Sequence, residues 1–192
     1  MMATTPSLPT ELERAIFELA ANTSPSTIPT LLRVAQRVRI WLEPLLYRVL
    51  VFDNFKSGLN LREAIEAKSA HFLSAVRHVN FVQGVITTSD AKSILESCPG
   101  IVNLGLPWDV ADPSLLPLLG TMCLQRLSAN LLELFGQHSA GDLKHPLFRS
   151  VTHIGLIDGI EAGDVVWMKR LSTLPALRTW CSLTRTKRIY QS

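Results

Sequence analysis

Apolar residues recur along this chain at two different periods. In "LPTELERAIFELA", which begins at Leu8, the residues Leu12, Ile16, Leu19 and Ala20 stand at i, i+4, i+7 and i+8. That spacing puts them on one face of an α-helix. Pro9 suits the first helical position, where a missing N–H is no loss. Glu11 and Glu13 place negative charge in the first turn, toward the positive end of the helix dipole. Asn22 and the turn-rich "NTSPSTIP" end this helix. The helical period resumes at Ile28, with one stripe of Leu31, Leu32, Val34, Ala35 and Val38 and then Trp41, Leu42, Leu45 and Leu46. Arg33, Gln36, Arg37 and Arg39 fill the polar side. Pro44 marks a boundary between two short helices, because the residue before a proline avoids the α region. Three short helices in about 45 residues bury too little surface to be comfortable alone. The unit therefore leans on a neighbour, in this chain or in another protein.

Residues Phe52–Ala75 read as a connector with one helix, carrying Leu61, Ile65 and Phe72 inward. Beyond it the pattern changes to short strand signals. "VRHVNF" from Val76, "IVNLGL" from Ile101, "LQRLSA" from Leu124, "VTHIGL" from Val151 and "LRTWCS" from Leu177 share one apolar–x–x–apolar core. Their starts are 25, 23, 27 and 26 residues apart. This resembles a leucine-rich repeat array, whose period is about 20–29 residues and whose strand signal is L-x-x-L-x-L. The segments "TSDAKSILES", "DPSLLPLLGTM" and "IEAGDVVWMKRLST" between strands predict helices, with Ser89 as N-cap of the first and Asp112 then Pro113 opening the second. The position that carries Asn or Cys in the best-known repeats reads Gly84, Asp109, Leu132 and Gly159, so these repeats are irregular.

In such an array the residues between the buried ones line a shared open face. Here they are Arg77, His78 and Asn80; Val102, Asn103 and Gly105; Gln125, Arg126 and Ser128; Thr152, His153 and Gly155; and Arg178 and Thr179. The candidate substrate face is Arg77, His78, Asn80, Asn103, Gln125, Arg126, Thr152, His153 and Arg178, polar and mildly basic.

The opening segment also resembles a known family. "LPTELERAIFELA" followed by "LLRVAQRVRIWLEPLLYRVL" is similar to the F-box motif, and especially to the F-box-like proteins of mushroom-forming fungi. An LPxEL start, an apolar second helix, a basic turn and a "PLLY-R" close occur in order over residues 6–52. The sequence departs at Val38, where the family usually carries tryptophan, and in a longer loop at Asn22–Pro29; Trp41 follows one turn later. The resemblance implies a subunit of an SCF-type cullin–RING ubiquitin ligase that grips the small Skp adaptor. Carried over by position, it implies that Leu8, Pro9, Leu12, Ile16, Leu31, Leu32, Val34, Val38, Leu46 and Tyr47 face that adaptor.

Composition narrows the field further. The chain has 192 residues, 47% hydrophobic and 18% charged, which supports a packed core. A net charge of +3 without a concentrated stripe argues against nucleic acid, and "RVAQRVR" has no interleaved aromatics to stack on bases. Cys98, Cys123 and Cys181 are widely spaced, with no CxxC pair, so neither a disulfide framework nor structural zinc is expected. The first residues lack the basic-then-apolar pattern of a secretory signal, and "LLPLLGTMCLQRLSANLLELF" is too interrupted to span a bilayer. Cytosol or nucleus is the expected location.

No phosphate-binding glycine loop, HExxH or GxSxG occurs. "GQHSAGD" at Gly136–Asp142 reads as a loop, and His71, His78, His138, His145 and His153 lack metal-ligand spacing. The sequence thus predicts a mixed α/β chain without a cofactor. A three-helix module at 6–52 precedes a connector at 53–75, a repeat region of about five parallel strands at 76–181 and a basic tail at 182–192. The expected role is a non-catalytic receptor that holds a Skp-type adaptor, and through it a cullin, at one end and a target protein at the other. The alternatives are a repeat scaffold outside any ligase, or a truncated, competing receptor. Truncation is expected because no polar cap follows the last strand signal.

Overall fold

A computed structural model describes residues 8–54, 70–136, 143–157 and 171–182. The chain divides into two compact units, Met1–Arg48 and Val49–Ser192.

The first unit is helical. Helix α1 spans Thr10–Thr23, α2 Ile28–Leu31 and α3 Gln36–Leu42, and a 3₁₀ segment covers Glu43–Tyr47. The break at Pro44 falls where its missing N–H predicts. The stripe from Leu31 to Val38, expected as one helix, is split instead: residues 32–34 form a turn, and Ala35 is extended before α3 begins. The core is small. Ala21, Ile28, Val38 and Leu42 are buried, with Phe17, Leu31, Leu32, Ala35, Trp41 and Leu45 packed partly against them. A two-pronged ion pair from Arg37 to Glu13, with Nη2–Oε1 at 2.7 Å and Nε–Oε2 at 2.9 Å, ties α3 to α1. That hydrogen bond and its charge attraction raise the Arg37 pKa further above its ordinary value.

The second unit is built on a six-stranded parallel sheet in simple chain order: β1 Val49–Phe52, β2 His78–Phe81, β3 Asn103–Leu106, β4 Arg126–Ala129, β5 His153–Leu156 and β6 Thr179–Ser182. The last five lie inside the five predicted segments, each starting two residues later. The first, "VLVF", was expected to close the helical module; the structure places it in the sheet, with Val49 opposite His78 and Phe52 opposite Phe81.

One backbone device recurs from strand to strand. The carbonyl just before or at the start of one strand accepts two N–H groups from the next turn of chain. Arg77 O takes Val102 and Asn103 N–H, Val102 O takes Gln125 and Arg126, Gln125 O takes Thr152 and His153, and Thr152 O takes Arg178 and Thr179, at 2.7–3.1 Å. The shared pattern holds consecutive strands in one register although the intervening segments differ in length.

Between strands lie short helices: α4 Ala70–Ser74, α5 Thr88–Ser97, α6 Leu116–Leu119 after a 3₁₀ turn at Pro113–Leu115, α7 Leu131–Phe135, and a 3₁₀ turn at Pro146–Arg149. Their caps are local and legible. Thr87, two residues before the expected Ser89, accepts from the Asp90 N–H and caps α5. Asp112 accepts from the Ser114 N–H (2.8 Å), as its place before Pro113 predicts. Asn130 caps α7 through the Glu133 N–H. These helices cover one face of the sheet. Leu104, Leu127 and Ile154 stand opposite one another across β3, β4 and β5 and are buried beside Leu95, Leu119, Leu134 and Phe148. Full burial of each such side chain contributes about 1.5–3 kcal/mol. The helix expected at Ile160–Thr173 lies mostly outside the described residues, as do "GQHSAGD" after Gly136 and most of the connector and tail.

Candidate binding surfaces

Helix α1 has two apolar stripes, and only one is inside. Phe17 and Ala21 pack into the small helical core, with Glu13 a turn before them held by Arg37. Leu12, Ile16 and Leu19, the stripe expected to mark a face, are 54%, 56% and 68% exposed. Leu8, which precedes the helix, is exposed as well, and so are Val34, Ile40 and Leu46 elsewhere in the unit. Ordinary surfaces carry single exposed apolar residues, but three on successive turns of one helix make a patch that fits an interaction site.

The expected adaptor-facing set is therefore sorted by the structure. Leu8, Pro9, Leu12, Ile16, Val34 and Leu46 are exposed; Leu31, Leu32 and Tyr47 are half-buried. Val38 is a correction: it is fully buried in the unit's own core, because the break at Ala35 starts a new helix, α3, whose inner side carries Val38 and Leu42. It holds the unit together and offers no surface to a partner.

The second surface is the open face of the sheet. Its outward positions form two rows across the strands. One runs Val49, His78, Asn103, Arg126, His153, Thr179; the other runs Val51, Asn80, Gly105, Ser128, Gly155, Cys181. The expected face residues His78, Asn80, Asn103, Arg126 and His153 all lie in these rows. Arg77, Gln125, Thr152 and Arg178 sit one residue before their strands, at or beside the repeated carbonyl device, and form the rim of the face.

Polar side chains in the rows are tied to one another. The Asn103 amide donates to His78 Nδ1 (2.6 Å). The Thr152 hydroxyl lies 3.0 Å from Gln125 O and 2.8 Å from His153 Nδ1. A carbonyl only accepts, so the hydroxyl donates to it and His153 Nδ1–H donates to the hydroxyl. The second row is low because of its glycines. A Cβ on Gly105 would collide with the Asn80 amide oxygen, and one on Gly155 would stand 2.6 Å from Ser128 Oγ. Each neighbouring side chain leans into the space that the glycine leaves. The result is a shallow trough of about 500 Å³ over β1–β4, floored by Gly105 and Ser128 and bordered by Val49, His78, Asn80, Asn103 and Arg126.

Sequence reasoning missed the part played by Asp109. Its Oδ2 accepts from the Gly84 N–H at 2.6 Å, linking one turn of chain to the preceding one, while Oδ1 is buried with no partner among the described residues. No residue pattern near Asp109 signals this link, because Gly84 lies 25 residues earlier in the chain. Of the cysteines, Cys98 is buried, and burial pushes its thiol up to about 11; Cys123 and Cys181 are exposed. Cys181 is exposed because it lies on the outward row of β6.

Among the described residues, no group of three or more His, Cys, Asp or Glu is placed to hold a metal ion, and no helix is long and apolar enough to cross a membrane. No family model matches the chain, and no curated protein or solved structure matches it either.

Proposed function

We propose that this chain is a substrate-receptor subunit of an SCF-type ubiquitin ligase, made of an F-box-like helical module and an irregular leucine-rich-repeat solenoid. The observation that carries the reading is the outer stripe of α1. Leu12 and Ile16, which the F-box resemblance assigns to adaptor contact, are exposed on a folded helix whose own core is made by other residues. The strand order, the spacing of strand starts and the repeated carbonyl device support the repeat reading.

In this role the chain performs no bond-making step. It raises the local concentration of a target near the ligase's catalytic subunits by holding both in one assembly. The α1 stripe with Leu8 and Leu46 holds the Skp-type adaptor, and the sheet face holds the target.

Co-expression with a fungal Skp adaptor, followed by affinity capture and gel filtration, tests the reading. A stable one-to-one complex is expected. A folded chain that elutes alone would leave a repeat scaffold outside any ligase as the better account.

A further inference from the structure

The outward rows of the sheet are uneven in chemistry. Across six strands they hold Arg126, two histidines, amides, hydroxyls, a thiol and glycines, and no Asp or Glu at all. Arg126 stands at the middle of its row, between Asn103 and His153, and is exposed. No carboxylate among the described residues pairs with it: the ion pairs found there join Arg14 to Glu18, Arg37 to Glu13 and Arg39 to Glu43, all in the helical unit. Arg77 and Arg178 add positive charge along the rim. At the other end of the trough Val49 lines its wall, and Val51, two residues on along the same face of β1, extends the apolar corner beyond it; they are 56% and 49% exposed.

We infer that this face binds an extended peptide segment that carries an aspartate or glutamate for Arg126 and an apolar side chain for the Val49–Val51 corner. The carboxylate supplies the charge that the face lacks, and an arginine fork accepts it in a two-pronged geometry. Strands lie about 4.8 Å apart, so the three strand spacings from Val49 to Arg126 cover roughly 14 Å; an extended chain advances about 3.4 Å per residue. The apolar and acidic residues of the segment are therefore about four positions apart. Between them the trough is lined by the amides of Asn80 and Asn103 and the hydroxyl of Ser128, which face the intervening residues of the segment. A single-stranded nucleic acid is the less suitable polyanion, because the rows hold no Phe, Tyr or Trp on which bases stack.

This inference rests on reading the sheet as the target-holding surface, and it is tested without the adaptor, so that a missing adaptor complex and a missing peptide site give different results. A random seven-residue peptide library is displayed and selected on the immobilised full chain. Fluorescein-labelled versions of the selected peptides are then titrated by anisotropy against wild type, Arg126→Glu and Val51→Asp. The inference predicts that selected peptides pair an acidic residue with an apolar one about four positions away. Their affinity is expected to fall roughly ten- to hundredfold with Arg126→Glu, as loss of a charge-assisted hydrogen bond implies, and to weaken with added salt. Both substitutions are at exposed sites, and unchanged circular dichroism and Tm confirm the fold. Selection of no peptide, peptides that bind Arg126→Glu as well as wild type, binding only after phosphorylation, or tighter binding of an oligothymidine probe would each overturn it.

Discussion

The two units of this chain use similar apolar residues to opposite ends. Among the described residues, the sheet unit buries 29 of them in one continuous core, from Phe52 to Leu174. The helical unit buries four and leaves Leu8, Leu12, Ile16, Leu19, Val34, Ile40 and Leu46 exposed. Domains of this size normally bury such side chains, since each leaves about 1.5–3 kcal/mol unrealised at the surface. The sheet unit is explained by its own interior. The helical unit keeps a large apolar surface, and α1 shows how: its inner stripe closes a minimal core while its outer stripe stays outside it.

The contrast can be broken at its strongest point first. Leu127→Ala, in the middle of the sheet core, is expected to cost about 2–5 kcal/mol, read as a lower urea midpoint with an unchanged slope. Val38→Ala should cost about 1.5–3 kcal/mol, on the scale of two buried methyl groups, and should melt the helical signal early. Leu12→Ser, apolar like Val38 but exposed on the outer stripe of α1, should change stability by at most about 0.5 kcal/mol. Equal losses at Val38 and Leu12 would erase the distinction between the two stripes.

Smaller effects sharpen the account of the sheet unit. Asp109→Ala is expected to cost about 1 kcal/mol through the lost Gly84 bond, and Asp109→Asn much less, because an amide oxygen still accepts it; paired thermal melts check this. Asp112 is held below its ordinary 3.8 by hydrogen bonds from the Ser114 hydroxyl and N–H. Its folded form therefore binds a proton less readily than the unfolded chain, so its contribution is complete above that value and is lost as pH falls through the lower folded one. Asp112→Ala should flatten that acid limb slightly. Cys98, pushed up to about 11, stays protonated and buried at pH 8. A thiol reagent should thus label Cys123 and Cys181 quickly in the native chain and Cys98 only on unfolding, as peptide mass spectrometry reads directly.

Much of the sheet was legible because each strand repeats one short apolar spacing, and that spacing survives changes in the loops. The same rule failed at β1: "VLVF" is a four-residue apolar run next to a helical stretch, and periodicity cannot distinguish strand from helix over so short a length. On α1 the period found the helix but not its inner side, because Leu12–Ile16–Leu19 and Phe17–Ala21 both satisfy it. The depth of Val38 followed from the break at residues 32–35, a turn and an extended Ala35, which no apolar spacing encodes. In the sheet face, His78, Asn103 and Arg126 were placed by alternation alone, whereas the trough depended on Gly105 lying beneath Asn80, a cross-strand fact. Asp109 was read only as an irregular position, whereas its carboxylate links to the Gly84 N–H 25 residues away.

The most direct test of the central claim compares adaptor affinity with stability in the same protein. The full chain and its Leu12→Asp/Ile16→Asp variant are titrated with the Skp adaptor by calorimetry, with melts recorded in parallel. The account predicts saturable one-to-one binding by wild type, no measurable binding by the variant, and matching Tm values. Equal binding by both, or none by a folded wild-type chain, would contradict it.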